Sequence, residues 1–160
     1  REDDILTAAR IAREFGFDYI IVHGTRGHLV AERLIKENIK IMSGPLLCDR
    51  SKPELKDLTP AAPAILKKAG IEISIVTDHP VIPIQYLPLC AGLAAREGLA
   101  HEDALRAITI DAAKMAGIEN RVGSIEVGKD ADFSVFSEDP LTISAKPKMV
   151  VINGEIVHKA

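Results

Sequence analysis

Ile71-Glu72-Ile73-Ser74-Ile75-Val76-Thr77-Asp78-His79-Pro80 sets the architecture. Its first seven residues are rich in β-branched side chains, which suit a pleated strand, and proline at position 80 ends the pairing. Helical periodicity over Ala61 to Lys68 precedes this strand. Further upstream lie a second strand candidate, Ile39 to Ser43, and a helical pattern from Leu29 to Glu37. Asp18-Tyr19-Ile20-Ile21-Val22-His23 is a near-continuous apolar run, the mark of a parallel strand buried on both faces. Three successive βα units predict a parallel sheet with right-handed crossovers, compatible with a slice of a (β/α)8 barrel or with a doubly wound sheet.

Downstream, Ile84 to Arg96 reads as a helix and His101 to Met115 as a longer one, with Glu102 and Asp103 suited to the dipole of its first turn and Gly117 placed to stop it. From Val122 the texture turns to β: Gly123 to Gly128, Asp132 to Phe136, and Met149 to Ile152. Asn153-Gly154 before Glu155-Ile156-Val157 signals a hairpin, because a type I′ turn needs positive φ at both central residues. At the other end, Arg1-Glu2-Asp3-Asp4 lacks an initiator methionine and runs at once into the amphipathic pattern Ile5 to Ala12. A sheet strand that would feed this helix is expected to be missing, as in a cropped or cleaved chain.

The 160 residues are 47% apolar and 27% charged, which places the chain among globular proteins long enough to bury a core. A formal charge of -3 gives no reason to expect nucleic acid or an anionic membrane as partner. No apolar run approaches the roughly 20 residues of a membrane-spanning helix, and no signal peptide is visible. Cys48 and Cys90 are far apart in sequence, so neither a disulfide framework nor a thiolate zinc site is indicated, and a reducing cytoplasm is the expected location.

In parallel α/β sheets the active site lies at the carboxyl ends of the strands, so polar residues that close apolar strands carry the functional expectation. His23 closes the first strand and Asp78 the third. Either can be merely structural, a packed histidine or a helix-capping aspartate. Together at neighbouring strand tips, imidazole and carboxylate suit a zinc ion, with the carboxylate free to take a proton from a bound water. His79 either contacts substrate or packs. His28 and His101 read as surface residues and His158 as part of the trailing end. Ser43-Gly44-Pro45 reads as a turn able to offer backbone groups, and Lys52, Lys56 and Asp57 as a solvated lid or linker.

Gly123-Ser124-Ile125-Glu126-Val127-Gly128-Lys129-Asp130-Ala131-Asp132 resembles the "G-S-I-x-x-G-K-x-A-D" signature near the end of amidohydrolases. Val151-Ile152-Asn153-Gly154-Glu155-Ile156-Val157 resembles their closing hairpin, and Ala107 to Gly117 their "A-T-x-N-x-A-x-x-x-G" helix, with Asp111 where asparagine is common. The resemblance covers essentially the whole chain. It implies the last three strands and helices of a (β/α)8 barrel over residues 1–120, followed over 121–160 by strands of a composite β-sandwich. In that family, strand one gives a His-x-His pair, strand four a carboxylated lysine or glutamate, strands five and six a histidine each, and strand eight an aspartate. Carried over, His23 is the strand-six metal histidine and Asp78 the strand-eight aspartate that binds metal and shuttles a proton; the other ligand positions have no counterpart here.

The Asp78-His79-Pro80 ending is most similar to the imidazolonepropionase-like branch, which includes prolidase-type enzymes. The implied activity is hydrolysis of amide, cyclic amide or peptide C–N bonds in a small-molecule substrate by a metal-activated water, with a divalent metal, zinc first, as cofactor. Two ligands fall short of the three that catalytic zinc takes from protein, so the 160 residues alone are expected to be inactive. Their expected partner is the N-terminal half of the barrel or a second copy, since unpaired edges favour association. The alternative is a non-catalytic α/β domain binding a small molecule or partner, although no glycine-rich phosphate loop follows any strand.

Overall fold

The computed structural model describes residues 1–160 and opens with α1 (Glu2–Phe15). Glu2, Asp3 and Asp4 lie in its first turn, where acidic groups oppose the positive end of the helix dipole. Ile5, Ala9 and Ala12 form its buried stripe, and Gly16, in the left-handed conformation, ends it by donating its N–H to the Ala12 carbonyl.

Three parallel strands follow, β1 (Ile21–His23), β2 (Lys40–Ser43) and β3 (Glu72–Ile75), in the order β1-β2-β3. His23 pairs with Ser43 and Ser43 with Ile75, so the carboxyl ends of all three strands finish level. The crossovers carry α2 (Ala31–Leu34) and α3 (Ala62–Lys68). The helix expected from Leu29 to Glu37 is a chain of short pieces, with 3-10 turns at Gly27–Val30 and Ile35–Glu37 on either side of α2. Asn38, at φ 50°, closes it.

Ile41, Ile73 and Ile75 of the sheet share one core cluster with Leu34 of α2 and Leu66 of α3. Burying each such side chain contributes about 1.5–3 kcal/mol, which is what holds the crossovers on the sheet. The expectation that the first strand is buried on both faces is corrected: Val22 is 53% exposed. Side chains alternate along a strand, and at β1 only the face of Ile21 is packed against the cluster.

Beyond β3, α4 (Leu87–Arg96) packs with α5 (His101–Ala107) and α6 (Ile110–Ala116), and Cys90, Ala91, Ala94, Ala104 and Ala107 join the same core. The single helix expected from His101 to Met115 is two. Thr109 leaves helical geometry at φ -131°, ψ -106°, and its hydroxyl donates to the Leu105 carbonyl at 2.7 Å, offering the backbone an alternative to the helical bond. Gly117, at φ 70°, ends α6 as expected.

The second sheet is antiparallel, ordered β4-β5-β6, from β4 (Phe133–Phe136), β5 (Pro147–Ile152) and β6 (Glu155–Lys159). Asn153 and Gly154 have φ of 51° and 80°, the paired positive values the hairpin reading requires. Gly123 to Gly128, read as β, is instead a run of turns. There Lys129 Nζ donates to Ser124 Oγ, and Ser124 Oγ to Glu126 Oε1, both at 2.5 Å. The connection from β4 to β5 reaches back and places Leu141 in the α/β core. Asp139 fixes this connection by accepting the Leu141 N–H at 3.0 Å and meeting His101 Nε2 at 2.7 Å.

Candidate site at the carboxyl edge of the parallel sheet

His23 and Asp78 share a backbone anomaly. Their φ angles are 72° and 55°, in the left-handed region that carries a penalty of roughly 1–2 kcal/mol for a residue with a Cβ. Such residues cluster where the surrounding fold insists on a particular side-chain direction. At His23 the backbone reverses with Gly24, also left-handed at φ 54°, whose position admits no side chain: a Cβ there would lie 2.7 Å from Ile41 Cγ2. At Asp78 the turn is closed by Val81 N–H donating to the Asp78 carbonyl at 2.8 Å and by Ile82 N–H to the Thr77 carbonyl at 3.2 Å. Thr77 is buried, while Asp78 and His79 are exposed.

The half-buried His23 ring is oriented by β2. Its Nδ1 lies 2.8 Å from the Gly44 carbonyl oxygen. A carbonyl only accepts, so Nδ1 carries the hydrogen, and in the neutral ring the lone pair sits on Nε2. Gly44 can stand there because it has no side chain: at φ 142° a Cβ would fall 2.0 Å from the Val76 carbonyl oxygen. The turn reading of Ser43-Gly44-Pro45 therefore holds together with its backbone role.

The remaining candidates divide. Lys52 and Lys56 are exposed, as read for the loop from Leu46 to Pro60, but Asp57 is half-buried and pairs with Arg26 Nη1 at 3.3 Å. His28, read as a surface residue, is half-buried with an unpartnered Nδ1, and burial pushes its pKa below the ordinary histidine value. His101 is exposed yet tied to Asp139. His158 lies exposed on β6. Burial raises the Cys48 thiol pKa, helped by the charges of Asp49 and, more weakly, Asp78. Sequence reading missed Arg26, and it offered the backbone of Ser43-Gly44-Pro45 without naming His23 as the partner of the Gly44 carbonyl.

Imidazole Nε2 and carboxylate are donors that zinc and similar divalent ions accept, so the edge fits such an ion in kind. It falls short in number, since nowhere in the chain do three or more His, Cys, Asp or Glu side chains gather into a group able to hold a metal ion. No helix is long and apolar enough to cross a membrane.

Comparison with known proteins identifies the family of the chain. The family model described as "Amidohydrolase family" matches residues 6–157. The chain is 42% identical over 107 residues to the imidazolonepropionase of Shewanella oneidensis, a match over 59% of this chain and 26% of that protein. Among solved structures it is similar to an amidohydrolase from Thermotoga maritima MSB8, with TM-score 0.95 and 45% identity over 100% of this chain and 42% of that one. An adenosine deaminase from Xanthomonas campestris with bound zinc gives TM-score 0.61 and 25% identity over 86% of this chain and 36% of that one. The chain thus spans less than half the length of each of these three proteins. With a family model matched almost end to end, the chain belongs to the amidohydrolase family.

Proposed function

We propose that these residues are the closing part of a (β/α) barrel hydrolase that cleaves amide, cyclic amide or peptide C–N bonds, and that His23 and Asp78 are two of its metal donors. The observation that carries this reading is the His23–Gly44 hydrogen bond, which fixes the ring and leaves Nε2 free at the carboxyl end of β1, with Asp78 in the turn that follows β3 of the same parallel sheet. Backbone carbonyls on the second nitrogen are the usual orienting partners of metal-binding histidines.

A divalent ion, zinc first, would be held by His23 Nε2 and the Asp78 carboxylate with further donors from outside residues 1–160. When bound, it supplies Lewis acidity and an acidified water. Asp78 would serve as the carboxylate that accepts a proton from the attacking water and returns it to the leaving nitrogen. His79, exposed beside it, contacts the substrate. The partner that completes the site is the N-terminal part of the barrel, docking along the unpaired edge of β1, the outermost strand of the parallel sheet; a second copy of the chain is the other candidate. The isolated chain is inactive.

The test is hydrolysis of a panel of dipeptides and cyclic amides, by the isolated chain and by a polypeptide extended to the length of the relatives. Activity only in the extended protein, lost in His23→Asn and Asp78→Asn, supports the reading. Steady turnover by the homogeneous isolated chain, or full activity in either variant, overturns it.

A further inference from the structure

Three segments that are distant in sequence meet at one guanidinium. Arg26 lies three residues past His23 in the turn after β1 and is only 24% exposed. Its Nη2 donates to Glu2 Oε1 of α1 at 3.1 Å, and its Nε lies 2.7 Å from Glu2 Oε2. On its other side Nη1 meets Asp57 Oδ2 at 3.3 Å. Of the two Glu2 contacts only Nη2–Oε1 has hydrogen-bond geometry, so one charge-assisted hydrogen bond to α1 orients the guanidinium, and its charge then draws Asp57 to the other side.

Asp57 belongs to the 44–61 loop between β2 and α3. Leu46 and Leu58 bury the two ends of this loop, and Arg50 Nη2 donates to the Leu58 carbonyl at 2.8 Å. Residues Asp49 to Glu54 between them are all exposed. The half-buried Cys48, near the start of the loop, reaches the Pro45 carbonyl just past β2, while Asp57, near the end of the loop, is fixed to the turn that follows His23. The loop therefore runs from the end of β2, the central strand, to the turn after β1.

We propose that Arg26 is a positioning residue that tethers the 44–61 loop at the carboxyl edge, drawing it from the end of β2 towards the turn that follows His23. Arg26 touches neither substrate nor metal. It sets where the loop lies over the edge, and with it the access of molecules to that edge. Its catalytic consequence rests on the function proposed above, but the tether itself is a property of residues 1–160 and is tested without metal or substrate.

The experiment follows the loop with two probes in the 160-residue chain: alkylation of Cys48 by iodoacetamide, and tryptic cleavage of the Arg50–Ser51 bond. Cys90 is fully buried and does not compete. Both are compared in the wild type, Arg26→Gln, Asp57→Asn and Asp57→Glu, with the urea midpoint measured for each. The expected result is a rise of about fivefold in both rates in Asp57→Asn, the factor that corresponds to a partly exposed ion pair at the upper end of its usual worth. The rise is larger in Arg26→Gln, is absent in Asp57→Glu, and leaves the midpoint of Asp57→Asn unchanged. Asp57→Asn removes only the outer arm, so it remains informative if Arg26→Gln fails to fold. Wild-type rates in Asp57→Asn, or rates that rise only in proportion to a lowered midpoint, overturn the proposal.

Discussion

His23 donates its Nδ1–H to the carbonyl oxygen of Gly44 across 2.8 Å, so the end of β1 is read out by the turn that follows β2. The neutral ring is thereby committed to one tautomer. Nitrogen-15 correlation spectra at pH 7.5 are expected to show His23 protonated at Nδ1 and bare at Nε2. An Nε2–H tautomer would remove the free lone pair on which the metal reading depends.

The attachment of the second sheet depends on a bare backbone. A Cβ at Gly92 of α4 would stand 2.1 Å from the Leu141 carbonyl oxygen, and that atom is main chain and cannot swing aside. Gly92→Ala is expected to lower stability by roughly 1–3 kcal/mol, the usual penalty of overpacking. The check is urea unfolding, where the midpoint should fall with an unchanged slope. An unchanged midpoint would mean that Leu141 does not pack against α4 as described.

His28 supplies a pH dependence of definite sign. Its pKa is pushed below the unfolded value of 6.5, chiefly by burial, so the unfolded chain binds more protons in the window just below that value. Stability is fully present above about pH 6.5 and is lost as pH falls through the depressed folded value. Urea midpoints at pH 7.5 and 5.5 should therefore differ more in the wild type than in His28→Asn. Equal differences in the two proteins would show that His28 is not buried in its neutral form.

Thr109 gives a local prediction. Its hydroxyl occupies the Leu105 carbonyl at the break between α5 and α6, and the Gly123 backbone packs beside it: a Cβ on Gly123 would lie 3.2 Å from the Thr109 carbonyl oxygen. Thr109→Ala removes the competing hydroxyl but not that packing. Amide exchange is expected to stay fast at Ile110 and Asp111, the first residues of α6, in the variant. Protection continuous from His101 to Met115 would show that the hydroxyl alone breaks the helix.

Much of this was legible in the sequence because periodicity is local. The three parallel strands, the hairpin at Asn153-Gly154 and the helix stop at Gly117 all follow from residue type and spacing. The reading that both His23 and Asp78 close strands holds for His23, the last residue of β1, whereas β3 ends at Ile75 and Asp78 lies three residues later in a turn. What escaped depends on pairs far apart in the chain. The Thr109 break needs Gly123 against it, the burial of Asp57 needs Arg26, and the anchoring of His101 needs Asp139. The carbonyl that orients His23 carries no side-chain signature at all. Gly123 to Gly128 read as β from its apolar alternation, yet the hydroxyl of Ser124 and the ammonium of Lys129 draw it into turns.

The most direct measurement is a zinc titration of the isolated chain followed by NMR at His23 and Asp78. Weak binding that moves the His23 Nε2 and Asp78 carboxylate signals together, is reversed by a chelator, and is lost in His23→Asn is the expected result, because the edge holds two donors where a catalytic zinc takes three from protein. His23 and Asp78 signals that stay still while zinc binds elsewhere, or at any zinc concentration, would contradict their assignment as metal donors.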